Sequence, residues 1–204
     1  KESGPTGATL EAEIQAIAEE FHMSILGPNC LGFINPGHYL NASFASSIPT
    51  KGSIAFFSQS GALTSAFLDL TRGKLGFSLF ASIGNKAVTD EKALLEYLFK
   101  DEGTNTIGMY TENLADASRF IALGRENLAL KHTKPIVALK SGTTNAGTSA
   151  ASSHTGAVAG SDAAYDALFK QARIFRAESF EELMDFLLVL DQNPVPTGSR
   201  AAIV

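Results

Sequence analysis

The sequence predicts an α/β fold built on a doubly wound parallel sheet, and three observations carry that prediction. Short apolar runs alternate with helix-period segments from residue 53 to residue 190. The intervening helices reach ten residues or more, the length that parallel strands need for their crossovers. Turns of small, hydroxylated residues stand where strands become helices, as at Ser58-Gln59-Ser60-Gly61.

Taken in order, residues 10–21 carry a helical pattern, with Leu10, Ile14, Ile17 and Phe21 on one face. Ser24-Ile25-Leu26 reads as a short strand ended by Gly27-Pro28-Asn29. Residues 35–52, rich in Pro, Ser, Gly and Asn, read as an irregular linker. Residues 53–57 are a buried strand followed by a helix over 62–72. Residues 77–82 form the second strand, with a glycine loop and a helix over 91–99. The third strand spans 106–110, with its helix over 115–130. The fourth spans 136–139, bounded by Pro135 and followed by a long small-residue loop. Residues 157–172 are helical, 174–176 a short strand, and 179–190 a last helix with a capping box from Ser179 to Glu182. Five strands in this order fit a flavodoxin-like sheet, whose ligands bind where strand C-termini meet helix N-termini.

Composition narrows the function. With 45% hydrophobic and 18% charged residues the chain is that of a globular protein with a sizeable core. A net charge of −5 without a Lys/Arg cluster argues against nucleic acid, whose phosphates need a basic stripe. Cys30 is the single cysteine, so no internal disulfide forms and a reducing cytoplasm is expected. No apolar run approaches the roughly 18 residues that a membrane span requires. Both ends read as cuts through a longer protein: Lys1 to Gly7 is no signal peptide, and Ala201-Ala202-Ile203-Val204 begins an apolar strand that stops at once.

The chemistry centres on His154, in the tract from Lys140 to Gly160, where almost every neighbour is small, hydroxylated or glycyl. Such a tract exposes backbone N–H groups and lets a bulky anion approach. A neutral imidazole nitrogen is a competent nucleophile near neutral pH, so the pattern suggests a phosphorylated histidine. Ser58, Gln59, Ser60 and Gly61 sit where the first strand becomes its helix. There, free N–H groups and the helix dipole make an anion site. Glu112 follows the third strand, where a carboxylate can fix an imidazole tautomer. Gly84, Asn85 and Lys86 follow the second strand on the same edge, and Lys86 reads either as a phosphate partner or as a surface lysine. His22, His38 and His132 lack metal-ligand spacing, so no metal site is expected. A rival reading makes Ser60, Asp116 and His154 a hydrolase triad on a nucleophile elbow, but Ser58 and Ala62 stand where such elbows carry glycine.

Five ordered motifs then meet a family: Gly27-Pro28-Asn29-Cys30-Leu31-Gly32; the stretch from Ile54 to Leu63; Ser82-Ile83-Gly84-Asn85-Lys86-Ala87; Leu139-Lys140-Ser141-Gly142; and Ser152-Ser153-His154-Thr155-Gly156-Ala157. Together they resemble the alpha-type portion of the NDP-forming acyl-CoA synthetases, the group holding ADP-forming acetate–CoA ligase and succinyl-CoA synthetase. The Ser-Gln-Ser-Gly and Ser-His-Thr-Gly forms stand closer to the acetate–CoA ligase branch. The resemblance implies reversible conversion of acyl-CoA, ADP and phosphate to acid, CoA and ATP, through an acyl phosphate and a phosphohistidine. It makes His154 the phosphorylated residue, Glu112 its orienting carboxylate, and Ser58–Gly61 one of two helix N-termini holding the phosphoryl group. Asn29 and Cys30 border the meeting point of CoA thiol and acyl group, with Gly84, Asn85 and Lys86 near the same pocket.

The resemblance also divides the chain: 1–48 as the tail of a Rossmann CoA-binding domain with its linker, 49–192 as the flavodoxin-like ligase domain, and 193–204 as a linker and the first strand of a following domain. It implies CoA, ATP or ADP and magnesium as substrates of a full enzyme. It further implies an ATP-grasp domain or beta subunit as partner, an oligomeric full-length form, and no turnover by the fragment alone. Arg173 stands where the family suggests a glycine. An alternative is a regulatory acyl-CoA-sensing region of a protein lysine acetyltransferase, although a sensor need not keep His154 and Glu112.

Overall fold

A computed structural model of the chain describes residues 4–114, 116–142, 162–193, 198 and 200. The elements run α1 (Gly4–Glu20), β1 (Gly32–Asn35), β2 (Leu40–Ser43), β3 (Lys51–Ser58), α2 (Gly61–Leu70), β4 (Phe77–Ser82) and α3 (Glu91–Lys100). They continue with β5 (Thr106–Thr111), α4 (Ala117–Leu128), β6 (Ile136–Lys140), α5 (Asp162–Gln171), β7 (Phe175–Ala177) and α6 (Phe180–Gln192).

The sheet order is β2-β1-β4-β3-β5-β6-β7. From β4 to β7 all pairings are parallel, which is the 2-1-3-4-5 order of flavodoxin-like sheets. The order of winding reverses between β3 and β5, and the crevice at their C-terminal ends is where such sheets bind ligands. β3 explains why the sheet is covered on both faces: Ile54, Ala55, Phe56 and Phe57 are all fully buried. Ala55 and Phe57 face Leu95, Leu98, Phe120, Leu123 and Phe169, from α3, α4 and α5. Ile54 and Phe56 face Phe67, Leu183 and Leu187, from α2 and α6. Phe56 stacks on Phe67 with ring centroids 4.1 Å apart.

Three sequence expectations are corrected. Residues 35–52 are not a featureless linker: β1 and β2 form an antiparallel hairpin, and β1 adds to β4, so the sheet has seven strands rather than five. β2 is an outer strand with one side toward solvent, so its residues need no apolar alternation and leave little signature. Ser24-Ile25-Leu26 is no strand. The carbonyls of Ile25, Gly27 and Pro28 accept from Thr89, Ala87 and Asn85, but the partner loop turns through left-handed backbone at Gly84 and Lys86 and no ladder forms. Leu10 and Ile17 of α1 and Phe21 just past it are exposed, while Gln15 donates to Ala87 O at 2.7 Å and the buried Glu11 accepts from Asn85 Nδ2 at 3.1 Å, both in the loop after β4. The last helix is capped at Ser179 as expected, its Oγ accepting from Glu182 N–H.

Candidate functional site

The strand registers bring the loops together. Ser58 is level with Ser82 and Tyr110, and Thr111 is level with Lys140, so the segments after β3, β4, β5 and β6 leave from one edge. Ser58, Gln59, Ser60, Gly61, Gly84, Asn85, Lys86 and Glu112 all lie on it. His154 lies outside the described residues.

At the start of α2, Ser60 is a conventional cap. Its side chain accepts from Leu63 N–H at 3.3 Å, and Ser58 Oγ accepts from Ser60 N–H at 3.0 Å. With Leu63 capped, Gly61 and Ala62 are the first-turn amides left to an outside acceptor, at the positive end of a ten-residue helix. Ser82 Oγ is buried without a hydrogen bond and would lie 3.8 Å from a Cβ placed on Gly61. Ser60 itself has relaxed extended backbone (φ −95, ψ 117), unlike the strained turn of a nucleophile elbow, and Asp116 is spent capping α4 through Arg119 N–H. The hydrolase triad therefore has neither its elbow nor its acid.

Asn29 and Cys30 approach from the other side. Asn29 Nδ2 donates to Asn85 Oδ1 at 3.4 Å, and Asn85 Nδ2 donates to Glu11 Oε2 at 3.1 Å. Gly84 is packed so closely beneath this segment that a Cβ would lie 2.3 Å from the carbonyl oxygens of both Pro28 and Asn29. Gly84 also has φ +53, so glycine is required there on two counts. Leu31 N lies 3.6 Å from where a Cβ on Gly61 would be, which sets Cys30 and its neighbours against the opening turn of α2.

Lys86 is neither a surface lysine nor a free phosphate partner. Its ammonium lies 2.7 Å from Glu91 Oε1 and donates to Asn113 O at 2.7 Å, with 12% and 3% of the Lys86 and Glu91 side chains exposed. Gln59 is similarly committed. Its Oε1 accepts from Glu112 N–H at 2.6 Å and Asn113 N–H at 3.1 Å, and its Nε2 donates to Glu91 and to Asn113 O. Neither side chain is offered to an anion. Among the described residues the half-buried Glu112 carboxylate enters no hydrogen bond or ion pair.

Sequence reasoning missed Glu91, Thr111, Asn113, Lys140 and Tyr165. Thr111 Oγ1 donates to Asn113 O at 3.0 Å, and Tyr165 Oη accepts from Leu114 N–H at 3.2 Å. Lys140 is buried at the end of β6, donates to Ser141 O, and lies 4.6 Å from the Tyr165 ring centroid. Burial pushes the Lys140 ammonium below its ordinary range, partly offset by Asp162 and Glu112, while Arg176 adds to the lowering. Burial pushes the Tyr110 phenol up, and the Glu112 charge adds to it. Of these only Lys140, inside a quoted motif, carried any local signal. No three His, Cys, Asp or Glu among the described residues are placed to hold a metal ion, and no helix there is long and apolar enough to cross a membrane.

Comparison with known proteins agrees with this geometry. Residues 51–190 match the family model described as the succinyl-CoA ligase like flavodoxin domain. The chain is 46% identical over 191 residues to the acetate–CoA ligase [ADP-forming] I of Archaeoglobus fulgidus, covering 93% of this chain and 27% of that protein. It is 39% identical over 204 residues to the acetate–CoA ligase [ADP-forming] II subunit alpha of Pyrococcus furiosus, covering 44% of it. A solved structure of Ca. Korarchaeum cryptofilum acetyl-coenzyme A synthetase 1, in complex with phosphate and ADP, superposes with a TM-score of 0.89 at 39% identity, over 97% of this chain and 42% of that one. The chain thus spans less than half the length of these relatives. On the family match and the shared sheet, the chain belongs to the NDP-forming acyl-CoA synthetases, in the part that holds their succinyl-CoA ligase-like flavodoxin domain.

Proposed function

We propose that this chain is the phosphohistidine-carrying part of an ADP-forming acyl-CoA synthetase. The observation that carries the reading is the half-buried Glu112 carboxylate, without a partner among the described residues, on the edge where α2 opens and from which the His154 tract departs. In the first step phosphate displaces CoA from acyl-CoA, giving acyl phosphate and free thiol. His154 then attacks phosphorus and the carboxylic acid leaves. Finally ADP takes the phosphoryl group, giving ATP and regenerating the imidazole. Glu112 accepts one imidazole N–H, which fixes the tautomer and stabilises the charge that develops as the other nitrogen attacks. The amides of Gly61 and Ala62 hold the phosphoryl oxygens with the dipole of α2. Asn29, Cys30 and Gly84–Lys86 border the thioester.

The division into 1–48, 49–192 and 193–204 belongs to the same proposal. So do an ATP-grasp domain or beta subunit that binds the nucleotide with its magnesium, and a cytoplasmic setting. The alpha subunit named in Pyrococcus furiosus and the phosphate and ADP of the Korarchaeum complex support this reading.

The test uses the full-length enzyme with acetyl-CoA, ADP and phosphate. ATP formation at a measurable rate is expected from the native protein and its loss from His154→Ala and, by at least about 100-fold, from Glu112→Gln. ATP synthesis by His154→Ala at the native rate would remove the histidine from the mechanism.

A further inference from the structure

Gln59 stands in the turn expected to hold phosphate, yet its side chain faces the other way, into the protein. A glutamine side chain has one oxygen with two lone pairs and two N–H donors. Here all four are matched. The oxygen accepts the N–H groups of Glu112 and Asn113 at 2.6 and 3.1 Å, and the nitrogen donates to the Glu91 carboxylate and to Asn113 O, the latter at 2.9 Å. Nothing is left over for a ligand.

The orientation is not interchangeable. Glu91 as a carboxylate only accepts, so the nitrogen must face it, and the oxygen must then face the two amides. A flipped amide would set oxygen against the carboxylate and the Asn113 carbonyl, and N–H against N–H. Lys86 donates to the same two oxygens as Gln59, Glu91 Oε1 and Asn113 O, each at 2.7 Å, and so holds both in place. Gln59 is 7% and Glu91 3% exposed, so these bonds lie in a low-dielectric interior where a mismatch is costly. Every contact of this network on the β5–α4 loop is to backbone, at Glu112 and Asn113, and leaves the Glu112 carboxylate alone.

We propose that Gln59 is a positioning residue, locked by the Lys86–Glu91 pair, that fixes the backbone at Glu112 and so aims the carboxylate that orients the phosphorylated histidine. This rests on the reading of Glu112 given above. It separates roles within one turn: the amides that open α2 receive the anion, and the side chain between them and β3 sets the acid. A displacement of the carboxylate by an ångström is enough to cost turnover about 100-fold.

The test is a double-mutant cycle in the full-length enzyme, with acetyl-CoA, ADP and phosphate as substrates and the melting temperature followed for each variant. Gln59→Met, which removes all four bonds at similar volume, is expected to lower kcat about 10- to 100-fold while KM for acetyl-CoA and for phosphate stays within about twofold. Gln59→Asn keeps an amide oxygen and nitrogen on a side chain one carbon shorter and is expected to retain more turnover than Gln59→Met; it also serves the cycle if the methionine variant does not fold. Combined with Glu112→Gln, either substitution is expected to cost nothing beyond Glu112→Gln alone. Multiplying losses would assign Gln59 a role that does not pass through Glu112 and overturn the proposal. A phosphate KM raised tenfold with kcat retained would return Gln59 to anion binding. Native turnover by Glu112→Gln on its own would overturn the reading of Glu112, and the positioning role with it.

Discussion

The ammonium of Lys86 lies 2.7 Å from the carboxylate of Glu91, with almost none of either side chain exposed. A surface pair would contribute little, but here each charge depends on the other for its solvation. Removing one partner strands the other in the interior, at a cost of about 3–5 kcal/mol. Lys86→Met is therefore expected to lower unfolding stability by that order in urea titration. Lys86→Met combined with Glu91→Met should recover part of the loss. Equal stability of Lys86→Met and the native chain would show the pair to be solvated.

Gly84 gives a second stability test. Its left-handed backbone and the 2.3 Å approach to two carbonyls leave no room for a methyl group. Gly84→Ala must shift the Pro28–Asn29 segment, at about 2–4 kcal/mol. Because that segment borders the site, the alanine variant should also raise KM for the thioester in the full-length enzyme. An unchanged melting temperature would mean that the loop moves freely.

Arg173 has φ +56, so a bulky residue occupies a left-handed position where the family pattern suggests glycine. The strain is about 1–2 kcal/mol and glycine's extra unfolded-state entropy about 0.5–1. Arg173→Gly is thus expected to stabilise the chain by about 0.5–1 kcal/mol, read as a higher urea midpoint at constant m-value. A lower midpoint would show that the arginine side chain supplies more than its backbone costs.

Lys140 supplies a pH dependence. Burial lowers the ammonium's pKa in the fold, so the unfolded chain holds this proton more tightly. The resulting destabilisation is fully present below the folded-state pKa. It is relieved as pH rises toward the unfolded value, about 10.4 for lysine. Urea midpoints at about pH 7.5 and about pH 10 should show the native chain gaining on Lys140→Met. A difference that does not vary with pH would contradict the burial of this charge.

What was legible in the sequence follows from range. Strands β3 to β6 announce themselves because a strand buried on both faces must be apolar nearly throughout, as Ile54–Phe57 is, and because serine, glycine and proline mark the ends. The hairpin β1–β2 does not, since four-residue edge strands such as Leu40–Ser43 need no apolar pattern. At the site, Glu112 and the Ser58–Gly61 turn could be placed on one edge from strand order alone. Their wiring could not be read: Gln59 meets Glu91 across 32 residues and Asn113 across 54, and such partners have no periodicity. Lys86 was open to either of two readings because its partner, Glu91, lies past the loop at the start of α3. Lys140 and Tyr165 meet only after the chain has crossed the His154 tract.

The most direct measurement of the central claim is the site of phosphorylation. Full-length protein incubated with γ-labelled ATP should carry acid-labile, alkali-stable label on His154, reduced by Glu112→Gln and absent from His154→Ala. Label that is acid-stable, or that persists undiminished in His154→Ala, would contradict the account.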